Sequence, residues 1–399
     1  MIQIAVMGYG TVGSGVVEVL STNQASIDKR VGEEVRVKYV LDLRDFPGDP
    51  VESVLVHDFE TIVNDPEVKV VVEVMGGVEP AYTFTKRCLL AGKSVCTSNK
   101  ALVAAHGAEL LQIAKDKNLN YLFEASVGGG IPIIRPLQTC LTADEIVEIS
   151  GILNGTTNYI LTNMTYGGAS FDDALKDAQD KGYAERNPEA DVEGHDACRK
   201  IAILTSLVSG QRVDFEDIYT EGITKVTAED IKYADKLGRV IKLLAMSKKE
   251  ADGKYYAMVA PFLIDAVNPL YSVNGVFNAI FVEGNMLGDS MFYGSGAGKL
   301  PTASAVAGDM VDAARHIGKV VTIFWNPEKL TLAPKEKMTH RFFVRMKSDA
   351  KDAKVFGDVE MIDAGIRGEI GFLTPVMSEG EFEEKAKGLG IISMIRMEG

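Results

Sequence analysis

Residues 191–200, DVEGHDACRK, place three carboxylates, a histidine, an arginine and a lysine directly before the apolar run IAILTSLV. Such groups serve one of three ends: a metal site, an acid–base site, or the solvated first turn of a helix. At about 100° per residue, a helix over 192–209 puts Ala197, Ile201, Leu204 and Val208 on one stripe, extended by Ile203 and Leu207. Arg199, Ala202 and Ser206 fall on the opposite, polar face. Asp196 and Lys200 fall inside the apolar sector, four residues apart, where side chains of successive turns meet. Charged residues are rarely buried unless paired. A surface pair would contribute only about 0.3–0.5 kcal/mol and would sit on the polar face. An inward acid–lysine pair is therefore a buried structural pair or a site, and the pattern favours catalysis or binding. Burial lowers a lysine pKa towards that of a general base, and a neighbouring acid raises it.

A transition-metal site is not expected. His195 has no second histidine three or four residues on, and none of the five histidines (57, 106, 195, 316, 340) forms an HxxxH pair. The preceding loop, KGYAERNPEAD (181–191), adds Glu185 and Asp191 to the pocket expected around Asp196. A carboxylate cluster wants a cationic group, and the ammonium of an amino acid fits.

The elements that must position these groups begin at the first residues. IQIAVM reads as a buried strand, and GYGTVGSGVVEVL follows with Gly8, Gly10 and Gly13 in GxGxxG spacing. The motif is weak alone, but here it joins a strand to an apolar-periodic helix, which is its required context. The glycines permit a tight turn and close approach of a pyrophosphate, and the helix start (Thr11, Val12, Gly13) offers backbone N–H groups to phosphates. Strands and helices then alternate through EVRVKYVLDL, VKVVVEVMGG, PAYTFTKRCLLAGK, SVCTS, AHGAELLQIAKDK and LNYLFEAS, predicting a doubly wound parallel sheet. Ligands of such sheets bind at the carboxyl ends of strands, where MGG (75–77), SNKA (98–101, with Lys100) and EASVGGG (124–130) fall. In LDLRD, Asp42 suits the ribose hydroxyls of NAD and Arg44 the 2′-phosphate of NADP; Arg44 points to NADP. GSGAGK at 294–299 is rejected as a P-loop, because Tyr293 and Leu300 break that motif.

The net charge of −14 argues against nucleic-acid or anionic-membrane partners. Four scattered cysteines suggest free thiols in a reducing compartment. No apolar run reaches the roughly 18 residues of a membrane helix, and the opening strand leaves no signal peptide, so a cytoplasmic protein is expected.

Taken together, GYGTVGSGVV, SNKALVA, EASVGGGIPII, GILNGTTNYIL, KGYAERNPEADVEGHDACRKIAIL, EGITKVTAEDIKYADKLG and GSGAGKLPTASAV closely resemble the homoserine dehydrogenase family over residues 2–320. The resemblance implies NAD(P)-dependent interconversion of L-homoserine and L-aspartate 4-semialdehyde, on the route to threonine and methionine. It implies Lys200 as the proton donor or acceptor, Asp196 and Glu185 as substrate-binding acids, and Asp191 lining the same pocket. Lys100 is placed by it near nicotinamide and substrate, Gly182 at cofactor or pocket, and Gly298 in a turn closing on the cofactor. It also implies a sodium-type cation held by Glu124, Val127, Gly129 and Ile131, largely through backbone oxygens, and a homodimer. Two other readings compete: another NAD(P)-dependent amino-acid dehydrogenase on this scaffold, or a non-catalytic dinucleotide-sensing protein.

The expected fold is α/β in three parts. A Rossmann-type dinucleotide domain spans 1–136, with the helix near 301–320 returning to it. A mixed catalytic and dimerisation domain spans 137–300, and a shortened ACT-like α+β lobe spans 336–399. In the lobe, the first helix is cut to about DAKDAKVFG and the usual Asp–Gly effector turn is missing, so a structural role is expected. Phe342, Val344, Met346, Ile392 and Met394 should alternate onto its packed face.

Overall fold

IQIAVM forms strand β1, Ile2–Met7, whose Ile4, Ala5, Val6 and Met7 are fully buried, as befits a strand covered on both faces. The computed structural model describes residues 1–347 and 353–398. After the glycine turn comes helix α1, Thr11–Thr22. The strands β2 (Val35–Leu41), β3 (Leu55–Val56), β4 (Val68–Glu73) and β5 (Ser94–Thr97) follow, then helix α2 (Lys100–Asp116) and strand β6 (Tyr121–Leu122). All pair in parallel in the order β3-β2-β1-β4-β5-β6. The order reverses between β1 and β4, the switch point at which doubly wound sheets bind ligands. The fold is thus the Rossmann-type α/β class expected. The short edge strand β3 escaped the sequence reading, and LNYLFEAS yields only two strand residues before a helical turn at Ala125–Gly128.

Two compact units emerge. The first comprises Met1–Ala143, Ala202–Asp214 and Gly294–Leu330. Within it the Lys299–Arg315 helix packs on α1: Ala303, Val306 and Met310 join Ile4, Val6, Val16 and Leu20 in one core. Gly15 makes this close approach possible, since a Cβ there would lie 2.9 Å from that of Ala303.

The second comprises Asp144–Ile201, Phe215–Tyr293 and 331–399. It holds strand β7 (Ile146–Ile152), helix α3 (Gly155–Gly167), the start of helix α4 (His195–Ser209) and helix α5 (Ala228–Lys236). Strands β8 (Val240–Lys249), β9 (Tyr255–Ile264), β10 (Phe277–Gly284) and β11 (Gly288–Ser295) follow. The tail supplies β12 (Thr339–Lys347), β13 (Glu360–Ile362), β14 (Glu369–Leu373), helix α6 (Glu379–Ala386) and β15 (Ile391–Glu398). The main path of this mixed sheet runs β11-β10-β7-β8-β9-β15-β12-β14-β13. The tail therefore continues the sheet, through parallel pairing of Phe262 with Arg396.

The tail's expected alternation holds for Phe342, Val344 and Met346, which share one core with Phe356, Phe372 and Phe382, and for Met394, which packs against it; Ile392 is instead exposed. The burial is also two-sided, since Phe343 is fully buried as well. β12 lies inside the sheet rather than on a one-sided lobe: Phe342 stacks on Phe382 of α6, and Phe343 meets Tyr233 of α5 on the other face. The shortened first helix lies partly outside the described residues; its described end, Ala353–Phe356, is a single 3-10 turn.

Candidate active site

In the first unit, Gly8 adopts φ +99°, and a Cβ at Gly13 would fall 1.9 Å from the Gly8 carbonyl oxygen, so only glycine fits there. Gly10 is the N-cap of α1, with no side-chain cap and open space around its missing Cβ. The N–H groups of Thr11, Val12 and Gly13 therefore meet an uncapped helix start, a cradle suited to a pyrophosphate. At the end of β2, Asp42 accepts from the Tyr9 and Arg44 amides and from Arg44 Nε and Nη2, all at 2.8–3.0 Å. The guanidinium holds the Asp42 carboxyl far below its usual range. Arg44 itself remains exposed.

β5 ends in Thr97, whose hydroxyl donates to buried Glu73 at 2.6 Å. Burial pushes the Glu73 carboxyl up. Asn99 caps α2 by accepting from the Leu102 amide and ties it back to the Gly77 carbonyl, placing Lys100 at the first helical position. Gly298, with φ +116°, precedes the Lys299–Arg315 helix, and its turn rests on the GGG loop: a Cβ at Gly129 would meet the Gly296 oxygen at 2.2 Å.

Glu124 is the residue whose environment explains most about its loop. It is buried, and its two oxygens accept from the amides of Ile133, Ile134 and Arg135 at 2.6–2.8 Å. A carboxylate offers about four acceptor directions. Glu124 can therefore give a cation one contact at most, and the carbonyls of Val127, Gly129 and Ile131 would have to supply the rest. That donor set, all hard oxygen, fits a weakly charged hard cation.

In the second unit, the charged decade becomes a one-turn helix, Glu189–Val192, followed by α4. Gly194, with φ +81°, makes the corner between them. Asp196 and Lys200 are 3% and 7% exposed, and Lys200 Nζ lies 2.8 Å from Asp196 Oδ2. Nζ also donates to the Leu153 carbonyl at 2.6 Å. Asn154 completes the arrangement: its Oδ1 caps α3 at the Thr157 amide, while Nδ2 donates to Asp191 Oδ1 at 2.7 Å and Asp196 Oδ2 at 2.9 Å. Asp191, Asp196 and Lys200 are thus brought together. Glu185 and Gly182 (φ +75°) lie exposed on the preceding loop, which Thr156 holds through the Tyr183 carbonyl at 2.7 Å.

The predicted polar face of α4 is not polar. Ala202 and Ser206 are buried, and only Arg199 stays partly open, with its guanidinium 5.2 Å from the Phe215 ring centroid. Ser206 tolerates burial because its hydroxyl donates to the Ala202 carbonyl and accepts from the Val213 amide. Asn154, Leu153 and Thr156 escaped the sequence reading as site residues. The signal was present in LNGTT, an N-cap asparagine directly after an apolar strand.

A dinucleotide cradle in one unit and a buried lysine–carboxylate centre in the other are together the equipment of a nicotinamide-dependent oxidoreductase. Comparison with known proteins agrees. Residues 8–124 match the family model described as homoserine dehydrogenase, NAD binding domain, and residues 132–311 match the model for homoserine dehydrogenase. Homoserine dehydrogenases of Synechocystis sp. and Bacillus subtilis are 45% and 37% identical, covering 93% and 99% of this chain and 85% and 96% of their own. The solved homoserine dehydrogenase of Thiobacillus denitrificans superposes with a TM-score of 0.89 at 35% identity, covering 100% of this chain and 98% of its own. A hyperthermophilic archaeal homoserine dehydrogenase in complex with NADPH gives 0.67 at 30% identity, over 78% of this chain and 97% of its own. The class is therefore an NAD(P)-dependent oxidoreductase acting on a CH–OH group. The chain belongs to the homoserine dehydrogenase family.

Proposed function

We propose that Lys200 is the general acid–base of L-homoserine and L-aspartate 4-semialdehyde interconversion, and that Asp191, Asp196 and Glu185 bind the substrate ammonium. The observation that carries this is the buried Lys200–Asp196 pair joined to Asp191 through Asn154. Bound NAD(P)+ supplies the hydride acceptor, and NAD(P)H the donor. As the carbinol carbon loses its hydride, the hydroxyl proton passes to the neutral Lys200 amine; in reduction, the ammonium returns it to the developing alkoxide. Leu153 and Asp196 fix the direction of Nζ, so that positioning contributes beside proton transfer. Lys100 at the start of α2 and Gly182 complete the residues assigned to cofactor and substrate.

Gly8, Gly10, Thr11, Val12 and Gly13 are assigned to the pyrophosphate, Gly298 to the turn that closes on the cofactor, and Arg44 to a 2′-phosphate, which makes NADP the favoured cofactor. Asp42 supports this choice, because four donors already occupy it. The carbonyls of Val127, Gly129 and Ile131 with Glu124 are assigned to a monovalent cation; a melting temperature higher in sodium than in choline chloride at equal ionic strength would support it, and equal values would count against it. We assign a homodimer to the edge strand β11, which exposes Met291 and Tyr293 beside exposed Phe277, an apolar row that a second copy would cover. The cytoplasm suits free thiols. Absorbance at the reduced nicotinamide band, with L-homoserine and each dinucleotide, tests the whole reading; no change with either cofactor would overturn it.

A further inference from the structure

Nothing in the chemistry above needs a buried arginine in the last strand, yet Arg396 is 1% exposed and holds two carboxylates. Its Nε and Nη2 donate to the two oxygens of Glu379, at the start of α6, at 2.5 and 2.9 Å. Its Nη1 donates to Glu221 Oε2 at 2.8 Å, an oxygen that also accepts from the Tyr219 hydroxyl at 3.1 Å. Glu379 alone would staple the tail. Glu221 lies elsewhere, at the head of a strip that rests on the site.

That strip has one way to sit. The Glu221 amide donates to the Val259 carbonyl at 2.8 Å. At Gly222 an added Cβ would be 2.2 Å from the Val192 oxygen and 2.5 Å from Glu193 Cα. The Ile223 amide donates to the Val192 carbonyl at 2.8 Å, and the Thr224 hydroxyl to Glu193 Oε1 at 2.9 Å. At the Gly194 corner an added Cβ would meet Thr220 and Val259, each at 3.2 Å. Residues 191–194 are therefore seated against 220–224 by two hydrogen bonds and two glycine contacts, and Asp191 stands at their head.

We propose that Arg396 is a positioning residue for the substrate-binding acid: by holding Glu221 it fixes the 220–224 strip, and the strip fixes Asp191 and the corner from which the lysine helix springs. The C-terminal strand is then part of the active-site scaffold and not only a covering of the sheet. The proposal rests on the assignment of Asp191 to the substrate ammonium.

Glu221→Gln tests it, because it removes the charge while keeping the volume and leaves the Arg396–Glu379 pair in place. The expected result is a KM for L-homoserine raised about 3- to 10-fold, with kcat within about twofold and the KM for NADP+ unchanged. A lower melting temperature with an unchanged KM for homoserine overturns the proposal in favour of a staple. In a cycle with Asp191→Asn, the double variant should raise KM no further than Asp191→Asn alone; additive effects show a different route and also overturn it. If Asp191→Asn by itself leaves KM unchanged, the assignment of Asp191 fails and the route through it falls too. A normal Asp191→Asn loss beside an inert Glu221→Gln sinks the strut alone.

Discussion

Replacing Lys200 by Met removes the proposed proton carrier, and the structure says what else it removes. The Lys200 and Asp196 side chains are 9% and 4% exposed, so the variant leaves a carboxylate deeply buried without its cation. Breaking one side of a buried pair costs about 3–5 kcal/mol, a large share of the roughly 5–15 kcal/mol that holds a domain together. The Asn154 amide still donates to Asp196, which keeps the cost towards the lower end. Loss of general acid–base catalysis should lower kcat about 10²–10⁴-fold. The two losses are separable. Lys200→Met combined with Asp196→Asn leaves no charge behind, so it should recover melting temperature while activity stays down. Dinucleotide affinity should stay within about twofold in both variants, because the Gly8–Gly13 turn belongs to the other unit. Steady-state absorbance gives kcat, and quenching of protein fluorescence gives the dinucleotide Kd. A folded Lys200→Met protein that keeps more than about a tenth of kcat would refute proton transfer by this residue.

Arg44→Ala strips the Nε and Nη2 donors from Asp42 and the charge from the strand end. NADP(H) affinity should fall about 10- to 100-fold, as for a lost charge-assisted bond of about 1.5–3 kcal/mol, with NAD(H) changed far less; equal losses would shift the assignment to Asp42. Burial pushes the Lys242 amine down to about 7 from its ordinary 10.5, so between these values the unfolded chain binds more protons than the folded one. This group's contribution to stability then rises as pH rises through that window, by at most about 1.4 kcal/mol per pH unit. Lys242→Met should flatten the slope, and an unchanged slope in urea titrations at pH 7–10 would contradict the assignment. Threonine at millimolar concentration should alter neither activity nor melting, although about 2.7 kcal/mol of stabilisation would accompany binding at a hundred times its Kd. Deleting 336–399 should yield insoluble or poorly folded protein, since it strips β15 from β9; a soluble, more active truncation would refute this.

How much of this was legible follows from the range of each constraint. The glycine turn was readable because its requirement is local and steric: Gly8 at φ +99° and Gly13 against the Gly8 carbonyl need no knowledge of distant residues beyond the strand and helix they join. The Asp196–Lys200 pair was readable because it lies on one helix, where the 3.6-residue period alone brings the groups together. Asn154 was not, because its partners stand 37 and 42 residues away. Its N-cap signal is visible, but that signal accounts only for Oδ1 and says nothing about what Nδ2 will meet.

The errors lie where burial was inferred from residue type. Ser206 looked like surface on α4, yet a hydroxyl bonded to its own helix and to the Val213 amide costs little to bury. The tail repeats the point with full charges. Arg345, 4% exposed in its side chain, meets Asp230 and Glu369 inside the sheet at 2.8 and 2.7 Å, and Ser393 donates to the same Asp230 oxygen at 2.6 Å. A binary reading of HRFFVRMK and IISMIRM makes Arg345 and Arg396 outward residues and so predicts a one-faced lobe. The carboxylates that let them turn inward, Glu221, Asp230, Glu369 and Glu379, are 17 to 175 residues away. Each arginine would be prohibitively costly to bury alone. With its fork satisfied by two acids, it fixes register between the tail and the 219–236 segment instead. The same long-range pairing that hid the tail's two-faced burial is what carries structural information from the last strand to the strip beside Asp191.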